Sequence, residues 1–176
     1  TKDYVLKLTL VLDNGEIIET GSRSAKTSSG YDLLHLFIGS EGTLGLVVQA
    51  TLRLVGLPEE YSAAIVTFPS IQAASEAVVE IVRSGLDPAS LELLDPACIR
   101  LFNREKHLGL EEAPTLFTEF HGPSMAYLVE ILDIVEEICR DAGHLGFQRG
   151  LGREERNRFF EARHELGEMI VRNHPD

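Results

Sequence analysis

Residues 115–149 read TLFTEFHGPSMAYLVEILDIVEEICRDAGHLGFQR, and their periodicity changes twice. Met125, Leu128, Val129, Leu132, Val135, Ile138 and Cys139 recur on one stripe, the 3.6-residue period of a helix lying on a sheet. That stripe reads as structural core. The residues at 115–121 and 145–149 read as strands on either side of a helix spanning 124–142, which ends near Gly143. An equivalent round precedes this one. It has a strand at 62–68, a helix at 71–84 ending on Gly85, a strand at 90–94, and a helix opened by Asp95 and Pro96. Asp at the N-cap and Pro at the first helical position both favour a helix start, through an accepted N–H bond and a pre-set φ. A last helix is predicted over 153–172. Two βα rounds imply an α+β fold of the ferredoxin-like kind, an antiparallel sheet with helices on one face.

Working toward the N-terminus, Gly56-Leu57-Pro58-Glu59-Glu60 interrupts the pattern, and Pro58 has no N–H to donate to a central ladder. A domain boundary is therefore expected there, with one domain at 1–57 and a second at 58–176. Upstream, Tyr4, Leu6, Leu8, Leu10 and Leu12 alternate with the period of two of a strand. Asp13-Asn14-Gly15 supplies a hairpin turn and 16–20 the partner strand. The loop GSRSAKTSSG at 21–30 leads to a short helix at 32–37 capped by Asp32, and a strand is predicted over 43–55.

The 176 residues are 44% hydrophobic, enough for a core, and carry 28 acidic against 16 basic residues for a net charge of -12. Such a charge disfavours nucleic acid and anionic membrane surfaces as partners, although an acidic chain can still hold a cationic pocket. Cys98 and Cys139 fall in helical patterns without metal-ligand spacing and read as buried free thiols of a reducing compartment. No apolar run approaches the ~20 residues of a membrane span, and no signal-peptide pattern is present. A cytoplasmic location, or a peripheral one at the inner membrane face, is expected. The chain lacks an initiating Met and stops just after a strong helix pattern, so an excised piece of a longer protein is expected.

The run Gly39-Ser40-Glu41-Gly42-Thr43-Leu44-Gly45-Leu46 places three glycines three apart before an apolar strand. It fits neither the dinucleotide fingerprint nor a P-loop, and spacing alone leaves open a tight turn or a backbone cradle for a ligand. Arg163 lies at i+4 from Phe159, i+3 from Phe160 and i-3 from Leu166, on their apolar face. A guanidinium there must snorkel, pair with an acid such as Glu119, or await an anion, and its planar fork suits the carboxylate of a 2-hydroxy acid. Its neighbours His164 and Glu165 point elsewhere and read as solvated. Glu119 and His121 share a strand face with Phe117, as an acid/base pair or as a structural contact. His35, His107, His144 and His174 are isolated and support no metal site by themselves. Lys26 reads as a solvated loop lysine or as a phosphate partner.

The run TSSGYDLLHLFIGSEGTLGLVVQATLRL at 27–54 resembles the C-terminal part of the FAD-binding domain in FAD-linked oxidases of the vanillyl-alcohol oxidase type. SLELLDPACIRLFN at 90–103, TLFTEFHG at 115–122 and FFEARHE at 159–165 narrow the likeness to the group of D-lactate dehydrogenase and the glycolate oxidase D-subunit. The resemblance implies a fragment holding the end of the FAD domain and much of the substrate cap. The enzyme it implies oxidises a D-2-hydroxy acid, D-lactate before glycolate or D-2-hydroxyglutarate. It places Gly39, Ser40, Glu41, Gly42, Thr43, Gly45 and Leu46 beside the flavin and gives Arg163 the substrate carboxylate. It also implies a quinone, cytochrome or electron-transfer flavoprotein as acceptor, and is compatible with a homo-oligomer. The family's divalent metal sits on later HxxDGN and EHG motifs, which this chain lacks, and the catalytic base is expected outside it as well. The fragment alone is therefore expected to be inactive and colourless. The reading from another class is a non-catalytic ferredoxin-like module that binds a small carboxylate or mediates association.

Overall fold

A computed structural model describes residues 2–24, 30–106 and 109–173, except for the side chains of 162–164. Lys26, His107 and His174 therefore lie outside the described residues, as do the side chains of Arg163 and His164. The chain divides into two compact units, 1–57 and 58–176.

In the first unit a 3-10 turn at Lys2–Tyr4 precedes β1 (Val5–Val11), and β2 (Ile17–Gly21), α1 (Leu33–Phe37) and β3 (Leu46–Leu52) follow. The three strands form an antiparallel sheet in the order β2-β1-β3. The hairpin closes as the sequence predicts: Asn14 Oδ1 accepts from the Glu16 N–H at 2.9 Å inside the turn. Asp32 caps α1 by accepting from the His35 N–H at 3.2 Å. Leu8 and Leu10 pack with Leu34 in a small core. β3 is shorter than the 43–55 expected, because the turn holds Thr43 through Ser40 O and only Leu46 onward joins the ladder. It is an edge strand, and Leu46, Val47, Val48 and Leu52 are exposed on it.

The second unit runs β4 (Glu60–Thr67), α2 (Ile71–Arg83), β5 (Ser90–Leu94), α3 (Pro96–Lys106), β6 (Thr115–Gly122), α4 (Met125–Asp141), β7 (Gly146–Leu151), α5 (Gly152–His164) and α6 (Leu166–Asn173). The strands form one antiparallel sheet in the order β5-β6-β4-β7. Three helix starts are capped by a side-chain oxygen: Ser70 for α2, Asp95 for α3, as its sequence predicts, and Ser124 for α4.

The apolar stripe of α4 buries Leu128, Leu132, Val135 and Cys139 with α2 against Ala64, Val66, Leu116 and Phe120. Each fully buried Leu or Val there contributes about 1.5–3 kcal/mol. The helices expected on one face are these two. The opposite face is covered as well, by α3, α5 and α6 over Ala63, Ile65 and Phe117. The reason lies in the central strands, where 62–66 of β4 and 115–120 of β6 are buried at every position. A strand apolar on both sides needs a layer on both sides. The single helix expected over 153–172 is two helices meeting at Glu165, after which α6 delivers Met169 to the core. Glu165 is half-buried rather than solvated, and Lys106 Nζ donates to its Oε1 at 2.8 Å.

Candidate functional site

The glycine run forms an exposed turn. Gly39 and Gly42 have φ of 90° and 81°, and Glu41 has φ of 49°, left-handed values that a glycine adopts without strain. At Gly39 and Gly42 an added Cβ would meet nothing within 4 Å, so the main chain there is open to a flat ligand. Gly45 differs: its Cβ would stand 3.1 Å from the Val11 carbonyl oxygen and 3.6 Å from the Phe37 ring. Close packing against the end of β1 and Phe37 of α1 accounts for that glycine. The turn thus presents main chain rather than side chains at Gly39 and Gly42.

In the second unit, chemistry-bearing side chains collect where β4 begins and β6 ends. Glu119 is 3% exposed, a carboxylate inside the sheet's helical layer. Its Oε1 accepts from Arg156 Nε at 2.7 Å and from His121 Nε2 at 2.6 Å. Tyr61 is the register partner of His121, with ring centroids 4.8 Å apart edge to face. The Arg153 guanidinium lies 4.8 Å over the Tyr61 ring and that of Arg156 5.9 Å from it. Two guanidinium groups thus share one aromatic ring, and of the two it is Arg156 that bonds the buried Glu119 carboxylate.

Of the residues singled out from sequence, Glu119 and His121 do come together, as partners in one network. The pairing of Arg163 with Glu119 weighed from sequence concerns a side chain outside the described residues; the cation on Glu119 among those described is Arg156. Sequence reading passed over Arg156 and Tyr61. The signal for Arg156 was present, since it lies at i-3 from Phe159 and i-4 from Phe160 just as Arg163 lies beyond them.

Among the described residues no group of three His, Cys, Asp or Glu side chains is placed to hold a metal. His35 is bound to Asp32, whose carboxyl is held below its usual range by that hydrogen bond. Cys139 is buried as expected, and burial pushes its thiol up to about 12. Cys98 is half-buried rather than buried, at the mouth of an open cleft of about 440 Å³ between α3 and α6, and its thiol is also pushed up by burial. Neither thiol is activated as a nucleophile. No helix among the described residues is long and apolar enough to cross a membrane.

Residues 57–175 match the family described as FAD linked oxidases, C-terminal domain. The chain belongs to the FAD-linked oxidases. Among relatives of this FAD-linked oxidase chain, the probable mitochondrial D-lactate dehydrogenase of Danio rerio is 43% identical over 167 residues, covering 93% of the chain and 33% of the relative. The glycolate oxidase subunit GlcD of Bacillus subtilis (strain 168) is 35% identical over 177 residues, covering 99% of the chain and 37% of that subunit. The chain thus spans about a third of the length of the curated relatives it matches. Its fold is shared with p-cresol methylhydroxylase, at a TM-score of 0.63 and 17% identity over 93% of the chain and 37% of that structure.

Proposed function

We propose that this chain is part of a longer FAD-dependent enzyme that oxidises a D-2-hydroxy acid to the 2-oxo acid, with D-lactate as the first substrate to test. One observation carries the reading: 43% identity over 93% of the chain to a relative named a probable D-lactate dehydrogenase. Glycolate and D-2-hydroxyglutarate are the neighbouring substrates, the former suggested by the name of the Bacillus relative. When bound, FAD supplies the two-electron acceptor for this oxidation.

Within the proposal, 1–57 is the end of the FAD-binding domain and 58–176 is part of the substrate cap. The main chain of Gly39 to Leu46 lies along the flavin nucleotide, a role supported by the open space over Gly39 and Gly42. Arg163 holds the substrate carboxylate through its planar donors, oriented by the helix that carries it. The α-hydroxyl proton goes to a base supplied by the remainder of the protein, and the electrons leave to a quinone, a cytochrome or an electron-transfer flavoprotein. An acidic chain with two free cysteines suits a cytoplasmic location or a peripheral one at the inner membrane face.

The test is Arg163→Ala in the full-length enzyme, assayed with D-lactate, glycolate and D-2-hydroxyglutarate. A raised KM for the preferred acid is expected, since the lost contact is to a group that does not change during the reaction. An unchanged kcat/KM would remove Arg163 from the site.

A further inference from the structure

We infer that Arg156, through its bond to the buried Glu119, is a positioning residue that sets the axis of α5 and so the place of residue 163 at the far end of that helix. The inference rests on the reading of Arg163 as the carboxylate ligand. Helix α5 is polar along most of its length, and Phe159 and Phe160 are the side chains it buries among those described. Adjacent residues occupy a single turn, and apolar contact is non-directional, so the direction of the helix is left to its polar contacts: Glu155 Oε2, which accepts from the Leu151 N–H at 2.7 Å where the helix leaves β7, and Arg156. The Phe159 seat is tight, because a Cβ on Gly150 would stand 2.9 Å from its ring. Tightness at one turn still does not set a direction.

A second rung does. Phe160 meets Phe117 edge to face, with ring centroids 6.3 Å apart, and Arg156 Nε meets Glu119 Oε1 at 2.7 Å. Residues 156 and 160 are about 6 Å apart along a helix. Residues 119 and 117 are about 7 Å apart along a strand. The two spacings nearly match, so both rungs form together only when α5, which packs over β4 beside β6, runs antiparallel to β6. Glu119 is itself held by His121 and by its ladder positions opposite Ala63 and Ser90. Residue 163 stands seven positions beyond Arg156, about 10 Å along the axis. A tilt of about 10° about the Phe159 and Phe160 anchors, about 5 Å away along the axis, would displace it by about 1 Å, and a misplacement of that size already costs about a hundredfold. A lysine would keep the charge at 156 without the planar Nε geometry that selects the rung.

The experiment is a double-mutant cycle in the full-length flavoenzyme with Arg156→Lys, the near-isosteric Glu119→Gln, Arg163→Ala, and each of the first two combined with the third. Flavin content, KM and kcat for D-lactate are read in each. The expected result is normal flavin content and a KM raised about tenfold by Arg156→Lys and by Glu119→Gln, with kcat within about twofold. Neither change should raise KM further once Arg163 is already Ala. An unchanged KM in both variants, with Arg163→Ala still raising it, overturns the positioning role and leaves the substrate reading standing. Equal increases with and without Arg163 also overturn it, because the effect then bypasses that residue. No effect of Arg163→Ala by itself removes the substrate reading first, and the inference with it.

Discussion

Glu119 and Arg156 are 37 residues apart in sequence, and their Oε1 and Nε atoms are 2.7 Å apart in the fold. The acid sits on a strand buried on both faces, and the base on a helix that is otherwise polar. A buried charge of this kind is costly without its partner.

Arg156→Ala should therefore destabilise the chain by about 2–3 kcal/mol, toward the low end for a broken buried pair because the arginine side chain is a quarter exposed. Urea unfolding of the variant against the parent chain measures this. A loss below about 0.5 kcal/mol, typical of surface pairs, would show that the pair does not hold α5.

Gly150→Ala should also destabilise, by about 1–3 kcal/mol, since the new methyl must push against the Phe159 ring and Glu155 Cβ. Gly146→Ala on the same strand, where a Cβ meets nothing within 4 Å, is the control and should cost far less. Thermal unfolding of the two variants compares them directly.

The helical rounds of the second unit were legible because their signals are local. The α4 stripe and the Asp95-Pro96 start each depend on residues within a turn or two. The second helical layer was harder to read, because Ser62, Ala63, Ala64, Ile65 and Val66 do not alternate and thus do not say which side is covered. Helical periodicity ran through the break at Glu165, whose side chain is bonded to Lys106, nearly sixty residues away. The site followed the same rule. Glu119 and His121 were paired by strand alternation, a local pattern, whereas several arginines on α5 satisfied the helix equally well. Which of them meets Glu119 is a matter of how α5 lies on the sheet, over β4, and that is tertiary.

Cys139 gives a pH prediction. Its thiol is pushed up to about 12 in the folded chain from an ordinary 9.0, so folding favours the neutral form. The contribution is complete below pH 9.0 and is lost as pH rises toward about 12, at about 1.4 kcal/mol per pH unit. Cys139→Ala should lose that part of the alkaline slope. A slope identical to the parent's would show that Cys139 ionises as freely in the folded chain as in the unfolded one.

The 176-residue chain purified by itself should be colourless, because the glycine turn offers one wall of open main chain to a flavin. Visible absorbance from stoichiometric flavin would contradict this and would mean that the two units alone complete a binding site.

The central claim is tested most directly by mixing the full-length flavoenzyme with D-lactate without oxygen and following the visible flavin absorbance. Bleaching by D-lactate, and its loss or marked weakening with L-lactate, is the predicted result. Flavin that stays oxidised with D-lactate, glycolate and D-2-hydroxyglutarate alike would contradict the assignment of this chain to a D-2-hydroxy-acid oxidoreductase.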